Sequence, residues 1–400
     1  ATPSDRVKDI SAPFMKTNRL SLAAIVALFA MLVTGACAPR GGPATTATRP
    51  GARLLGVFAA WANTLQAIEG LPVGSLSGLA YDATERRWLG ASDEIQRPRL
   101  LAFDLVLGRD IRVTPTAVTP LTLAPGVPPD TLTALDMEGL AIFPDGSFAV
   151  SHEGHIDRGG VARQPRVLRV THDGVVTTVI RPRDHFTIDT ADRTRGVRHN
   201  LGFEGLTRTP DGRLVAAIEQ PLAQDGPIST TSDGGLVRFA EFVERDGAWA
   251  PGREWTYRLD ATRLQAGYTK TCEDGANGLS SILALDALRF LVVERACLLG
   301  EPKTPAYNTV RVYEASFERA TDVSGLASLA GQAPVPATKR LIADLASWIP
   351  AFPPSLATLS NIEGMSFGPP GPKGERTVML VSDDNFRATQ TTAFIWFALP

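Results

Sequence analysis

The chain has 400 residues, 44% of them hydrophobic and 20% charged, with 36 glycines and 30 prolines, which excludes a disordered or fibrous protein and fits a globular one. Its formal net charge of -2 offers no argument for nucleic acid or an anionic membrane surface as partner. The length admits one large domain or two to three ordinary ones.

In chain order, Lys16 and Arg19 precede "LSLAAIVALFAMLVTGAC", an uncharged apolar run of about 17 residues that stops at small residues. That is the layout of an export signal, at the short limit for a bilayer span. Met15 is a better start than Ala1. "TGAC" resembles a bacterial lipobox, with Thr34 where Leu is commonest, so Cys37 is expected to carry lipid and anchor the protein in the cell envelope. A plain secretory cut at "ACA" and a retained membrane anchor are the alternatives. "APRGGPATTATRP", residues 38 to 50, reads as a tether to a domain spanning 51 to 400.

Five hairpins of one type follow. They are "LSGLAYDATERRWLGASDE", "DMEGLAIFPDGSFAVSHEG", "GFEGLTRTPDGRLVAAIEQ", "GANGLSSILALDALRFLVVER" and "NIEGMSFGPPGPKGERTVMLVSDDNF". Each has a glycine early in an apolar strand, then a turn, a second apolar strand and an acid. The glycines are Gly78, Gly139, Gly205, Gly278 and Gly364, spaced by 61, 66, 73 and 86 residues. Two further short runs rich in β-branched or aromatic residues follow each hairpin, except the last, which has only "TAFIWFALP". The missing strand is supplied by "ARLLGVFAAWANTL" from the start of the domain. The predicted fold is therefore all-β: a propeller of five four-stranded blades, closed by the N-terminal strand, with a monomer expected. Closure hides the sheet edges that would otherwise pair with other chains. Six blades fit if the longest unit hides another. A β-sandwich would not explain one hairpin recurring along the whole chain.

In an antiparallel hairpin the start of the first strand and the end of the second share one edge. Glu138 then meets Glu153, Glu204 meets Glu219, Asn277 meets Glu294, and Glu363 meets Asp383 and Asp384, with Ser77 and Asp93-Glu94 completing a ring at one mouth of the central channel. Carboxylates gathered so closely raise one another's pKa or require a cation. Oxygen donors without a Cys/His cluster at zinc spacing point to Ca²⁺. Single glutamates capping their own loops, or a solvated rim, are the plainer explanation for any one blade. Cys272 and Cys297 flank the fourth hairpin at the same rim. A bridge there closes a loop of about 25 residues and stabilises by about 3 kcal/mol in the chain-entropy model.

"NLGFEGLTRTPDG", "LSSILALDALRFLVVERA" and "NIEGMSFGP…VMLVSDDNF" resemble the hallmark segments of the phytase-like esterase family over most of residues 70 to 400. The resemblance implies a propeller, hydrolysis of phosphate esters and calcium, with Glu204, Glu294, Arg295, Glu363, Asp383, Asp384 and Asn385 at the matching positions. Asp384 stands where Asn is commoner and adds a negative charge. No P-loop or His-Glu-x-x-His is present, and the one Gly-x-Ser-x-Gly spacing, "GMSFG" at 364 to 368, falls inside a hairpin strand and not at a strand-to-helix elbow. The expected chemistry is metal-assisted attack of water on a small phosphate ester or related ester. Glu204 or Glu219 is the expected base, and Arg295 and Arg208 the phosphate clamps. Arg198, His199, Asn200 and His152 are candidate substrate contacts, with an ordinary basic loop and ordinary loop histidines as alternatives. A non-catalytic calcium-stabilised envelope scaffold and a lactonase-type propeller hydrolase are the competing functions.

Overall fold

Strands made of alternating β-branched and aromatic residues, cut by Pro-Asp-Gly and Asp-Gly turns, pair in sequence order into antiparallel sheets. The computed structural model describes residues 51–272, 275–302 and 304–400. The export segment, Cys37 and the tether lie outside the described residues. Among the described residues the sheets form five blades. Blade 1 holds Leu76–Asp82, Arg87–Ser92, Arg99–Val106 and Arg112–Pro120. Blade 2 holds Met137–Ile142, Phe148–His152, Arg166–Val170 and Val175–Ile180, and blade 3 holds Phe203–Arg208, Leu214–Ile218, Leu236–Arg245 and Ala248–Arg258. Blade 4 holds Gly278–Ala284, Arg289–Gly300, Tyr307–Ser316 and Thr338–Asp344. Blade 5 joins Asn361–Phe367, Thr377–Asp383 and Thr391–Ala398 to Arg53–Trp61.

The N-terminal strand pairs antiparallel with the C-terminal one, from Arg53 opposite Ala398 to Trp61 opposite Thr391, so the ring closes as the hairpin count predicts. Among the described residues the longest unit holds no further blade. Its extra residues form loop and the 3₁₀ turns Leu345–Ala351 and Pro354–Leu356. The proline-rich stretch near 120 to 129 adds Thr122–Leu123 to blade 2 as a short parallel strand. Tyr268–Thr271 extends blade 4 against the far end of Arg289–Gly300, where Cys272 and Cys297 are bridged with Cα atoms 5.4 Å apart.

The first strand of each blade lines the channel and neighbours the first strands of the blades on either side. The glycine early in that strand is what lets them approach. A Cβ on Gly139 would stand 2.4 Å from the Leu206 backbone nitrogen of blade 3. One on Gly364 would stand 3.0 Å from Leu79 Cβ, at the junction of blades 5 and 1. Outside this waist the blades are held together by apolar layers. Between blades 3 and 4, Phe239 packs against Phe290 and Phe317 with ring centroids 5.9 and 4.6 Å apart. Burying each such ring is worth about 2–3 kcal/mol.

Candidate active site

Every first strand carries a β-bulge where it enters the channel: the register shifts between Leu76 and Gly78, Met137 and Leu140, Phe203 and Gly205, Leu279 and Ser281, and Ile362 and Gly364. An extra residue bends the strand and re-aims its side chain. The bulged positions are Ser77, Glu138, Glu204, Ser280 and Glu363, all buried. The second strands, taken one residue past the pair that precedes each bulge, end on Asp93, Glu153, Glu219, Arg295 and Asp383. These ten positions line one mouth: seven carboxylates, two serines and one arginine.

This register corrects the expected ring in blade 4. Asn277 and Glu294 are not rim residues; Ser280 and Arg295 stand in their places. Leu279 is opposite Glu294, as Phe203 is opposite Ile218. Successive side chains of a strand face opposite ways, so Arg295 faces the mouth and Glu294 faces blade 3. There Glu294 accepts hydrogen bonds from Tyr257 Oη at 2.6 Å, the Asp260 backbone N–H at 3.0 Å and Asn277 Nδ2 at 2.6 Å, and pairs with Lys339. Two other expected members also turn away. Glu94 pairs with Arg97 and Arg99. Asp384 caps loops by accepting from the Ser75 and Phe386 N–H groups, each at 3.0 Å, and from Thr392. Asn385 faces inward only through Asp383, to which its N–H donates at 2.7 Å.

Within the mouth the charges separate into two groups. On the side of blades 2 and 3, Asp136, Glu138 and Glu153 form one cluster and Glu153, Glu204 and Glu219 a second, each able to bring three carboxylate oxygens within 4.8 Å of one another. Sequence reasoning missed Asp136. The signal was the spacing Asp-x-Glu just ahead of the second hairpin glycine, which puts both carboxylates on one side of an extended segment. On the side of blades 4 and 5, Arg295 Nη2 lies 3.5 Å from Glu219 Oε1 and 3.3 Å from Glu363 Oε1. Ser77 Oγ donates to Glu363 Oε2 at 2.9 Å and Asn361 Nδ2 to Glu363 Oε1 at 2.7 Å.

Burial, then mutual repulsion, pushes Glu138, Glu153 and Glu204 well above the usual carboxylate range. Burial also raises Glu363, but only to about 7, because Arg295 opposes it. Asp383 rises to about 8 through burial and the Glu363 charge. Burial works against the Arg295 charge, yet Glu363, Glu219 and Glu204 hold it firmly protonated.

Glu153 Oε2 and Glu204 Oε2 are buried and have no hydrogen-bond partner among the described residues. Lone pairs so placed cost free energy unless a cation, or a proton shared between the two carboxyls, takes them. The donors are carboxylate oxygens only, which suits calcium. Arg295 Nε is likewise buried without a partner.

The remaining candidates are placed elsewhere. Arg208 ends the strand that Glu204 begins, about 13 Å away at roughly 3.3 Å per residue, so it belongs to the opposite mouth. Arg198 donates to the Pro221 and Gly226 carbonyls at 3.1 and 2.7 Å, fixing its own loop. His199 Nδ1 accepts from the Ile156 N–H at 3.1 Å, and Asn200 is a turn residue with φ 55°. Burial pushes His152 well below the usual histidine range, and its Nδ1 lies 3.1 Å from the Asp136 nitrogen. It therefore braces Asp136. The loop of Arg198 reaches the mouth through Gly202, whose N–H donates to Glu153 Oε1 at 3.2 Å.

No curated protein matches the sequence. Solved structures similar to the chain include an endo-arabinase from Bacteroides thetaiotaomicron, at 9% identity and a TM-score of 0.43, covering 84% of this chain and 96% of that one. A gluconolactonase from Xanthomonas campestris is similar at 11% identity and a TM-score of 0.31, covering 90% and 98%. The family model for phytase-like proteins, described as esterase-like activity of phytase, matches residues 71–386, from just before blade 1 to the loop after Asp383, and the chain belongs to that family.

Proposed function

We propose that the acidic mouth is the active site of an exported, calcium-dependent hydrolase of small phosphate esters, held at the cell envelope by lipid on Cys37. The observation that carries this reading is Glu153, shared by two carboxylate clusters, with its own Oε2 and that of Glu204 buried and without a donor, and with Arg295 3.5 Å from Glu219 of the second cluster. Family membership supports ester hydrolysis as the reaction class.

Asp136, Glu138, Glu153 and Glu219 are the residues that would hold the ion. Bound calcium would neutralise charge on the phosphate oxygens and make water more acidic. Arg295 presents its guanidinium to the same oxygens, stabilising the charge that grows as the phosphorus is attacked. Glu204 takes a proton from the attacking water as the new P–O bond forms. The bond to the ester oxygen breaks, and that oxygen leaves as an alcohol carrying a proton returned from the Glu204 carboxyl. Burial and the neighbouring carboxylates raise the Glu204 carboxyl, which favours its keeping the proton until the ester oxygen leaves.

The test is phosphate release from phytate and from a simple aryl phosphate, in chelator and then with calcium restored. Calcium-dependent turnover that falls by about 10²-fold or more in Glu204→Gln supports the reading. Calcium that raises thermal stability without any turnover would leave the mouth as a structural ion site in a binding scaffold.

A further inference from the structure

The five first strands set the acidic mouth at one end of the channel and something different at the other. Their far ends enclose a cavity of about 610 Å³, in the size range of small-ligand sites. Leu79, Leu140, Ile142, Leu206, Met365 and Phe367 supply most of its wall. The charged residues on the wall are Arg86 and Arg208, with no carboxylate among the described lining residues. The polar groups nearby are already satisfied. Ser366 Oγ accepts from the Tyr81 N–H at 3.0 Å and Thr207 Oγ1 from the Ala284 N–H at 3.0 Å.

The two arginines have no counter-charge there. Arg208 makes no ion pair among the described residues; its guanidinium lies 5.3 Å from the Phe143 ring centroid, and its buried Nε has no hydrogen-bond partner. Arg86 is held at the cavity edge with φ 55°, in a turn fixed by Asp82 Oδ1 accepting from the Thr84 and Glu85 N–H groups at 2.8 and 3.0 Å. The carboxylates of the flanking turns are engaged elsewhere: Glu85 with Arg87 at 2.7 Å, and Asp145 with Ser147. An apolar cavity edged by unpaired guanidinium groups is complementary to one kind of molecule.

We propose that the mouth opposite the acidic site binds an amphiphilic anion, with its hydrocarbon body in the cavity and its carboxylate, sulfate or phosphate head on Arg208 and Arg86. The hydrocarbon covers the apolar wall where it still meets water, at the half-buried Ile142, Leu283 and Phe367, and the head supplies the acceptor that Arg208 Nε lacks. The binding is independent of calcium and of the acidic mouth.

Calorimetric titration of the full-length protein with dodecanoate below its micelle concentration tests this, with dodecanol and acetate as the separate halves of the ligand. Saturable one-to-one binding of dodecanoate is expected, with dodecanol and acetate each weaker by at least about tenfold, the range of a charge-assisted hydrogen bond. Arg208→Gln should weaken dodecanoate by at least about tenfold. Arg86→Gln, at an exposed turn, tests the site without touching the channel wall and should also weaken it. The calcium-dependent melting shift of both variants should match the parent, which shows that the fold is intact. Absence of saturable binding, equal binding of dodecanol, or dodecanoate affinity unchanged in both variants would overturn the proposal. The last result would place the ligand on another apolar segment.

Discussion

Glu294 and Arg295 are consecutive, but their tasks are unrelated. Glu294 is 2% exposed and sits in a closed set of partners, in which Lys339 also pairs with Asp260 at 2.9 Å and lies over the rings of Tyr257 and Tyr313. Glu204 has an unpartnered buried oxygen and acidic neighbours. The two glutamates therefore respond oppositely to the same change. Glu294→Gln removes a charge from a satisfied pair and leaves Lys339 less compensated, so it should destabilise by about 1–3 kcal/mol while leaving the calcium-dependent rise in melting temperature intact. Glu204→Gln removes repulsion from a crowded cluster, so it should melt no lower than the parent in chelator, whereas Glu153→Gln, which removes the carboxylate both clusters share, should lose most of the calcium-dependent rise. Melting curves with and without calcium read both. A Glu294→Gln protein that lost its calcium response would return Glu294 to the rim.

At the scale of the strand, the apolar hairpins, their turns and the closing N-terminal strand are legible in the sequence because each is a local pattern. The bulge is not, since it shifts the phase of a strand by one residue without changing composition. In blades 1, 2, 3 and 5 the bulged residue directly precedes the skeleton glycine, so reading from the glycine finds the bulged position. In blade 4 the sequence offers Gly278, but the bulge falls on Ser280 and the position after it is Ser281. Reading from Gly278 put Asn277 and Glu294 on the rim. Arg208 was expected as a phosphate clamp for its guanidinium fork, but a strand carries its ends to opposite mouths, and Arg208 ends the strand in which Glu204 lies near the start. The skeleton glycines themselves make a sharp prediction. Gly139→Ala would drive a Cβ to 2.4 Å from both the nitrogen and Cβ of Leu206, atoms that cannot rotate away. It should cost about 3 kcal/mol, at the upper end of ordinary overpacking. Gly325→Ala, with nothing within 4 Å of the added Cβ, should change stability by less than about 1 kcal/mol. Denaturant unfolding of the pair checks this, and equal midpoints would mean the inner strands are not packed at their closest approach.

For the whole ring, the question is how one closed structure tolerates seven carboxylates in its mouth. Strand pairing and blade packing force them together, so in the absence of a cation the folded state must hold protons that the unfolded chain releases. Glu363 at about 7 and Asp383 at about 8 stand above ordinary unfolded values near 4.3 and 3.9. Asp93, Glu138, Glu153 and Glu204 are raised by the same burial. For groups whose folded pKa is raised, the folded state binds more protons, so their contribution is fully present below the unfolded pKa and is lost as pH rises through the folded one. The calcium-free protein should therefore lose stability steadily between about pH 4 and pH 8. A cation that binds the ionised carboxylates acts against this loss, and its effect grows with pH as protons cease to compete. Melting temperatures in chelator should fall by several degrees from pH 5.5 to pH 8, and saturating calcium should flatten or reverse that fall. A profile in chelator that stayed level across this range would show that the mouth already balances its charge without an ion. That would undercut the metal-assisted reading, whatever the outcome at the opposite mouth.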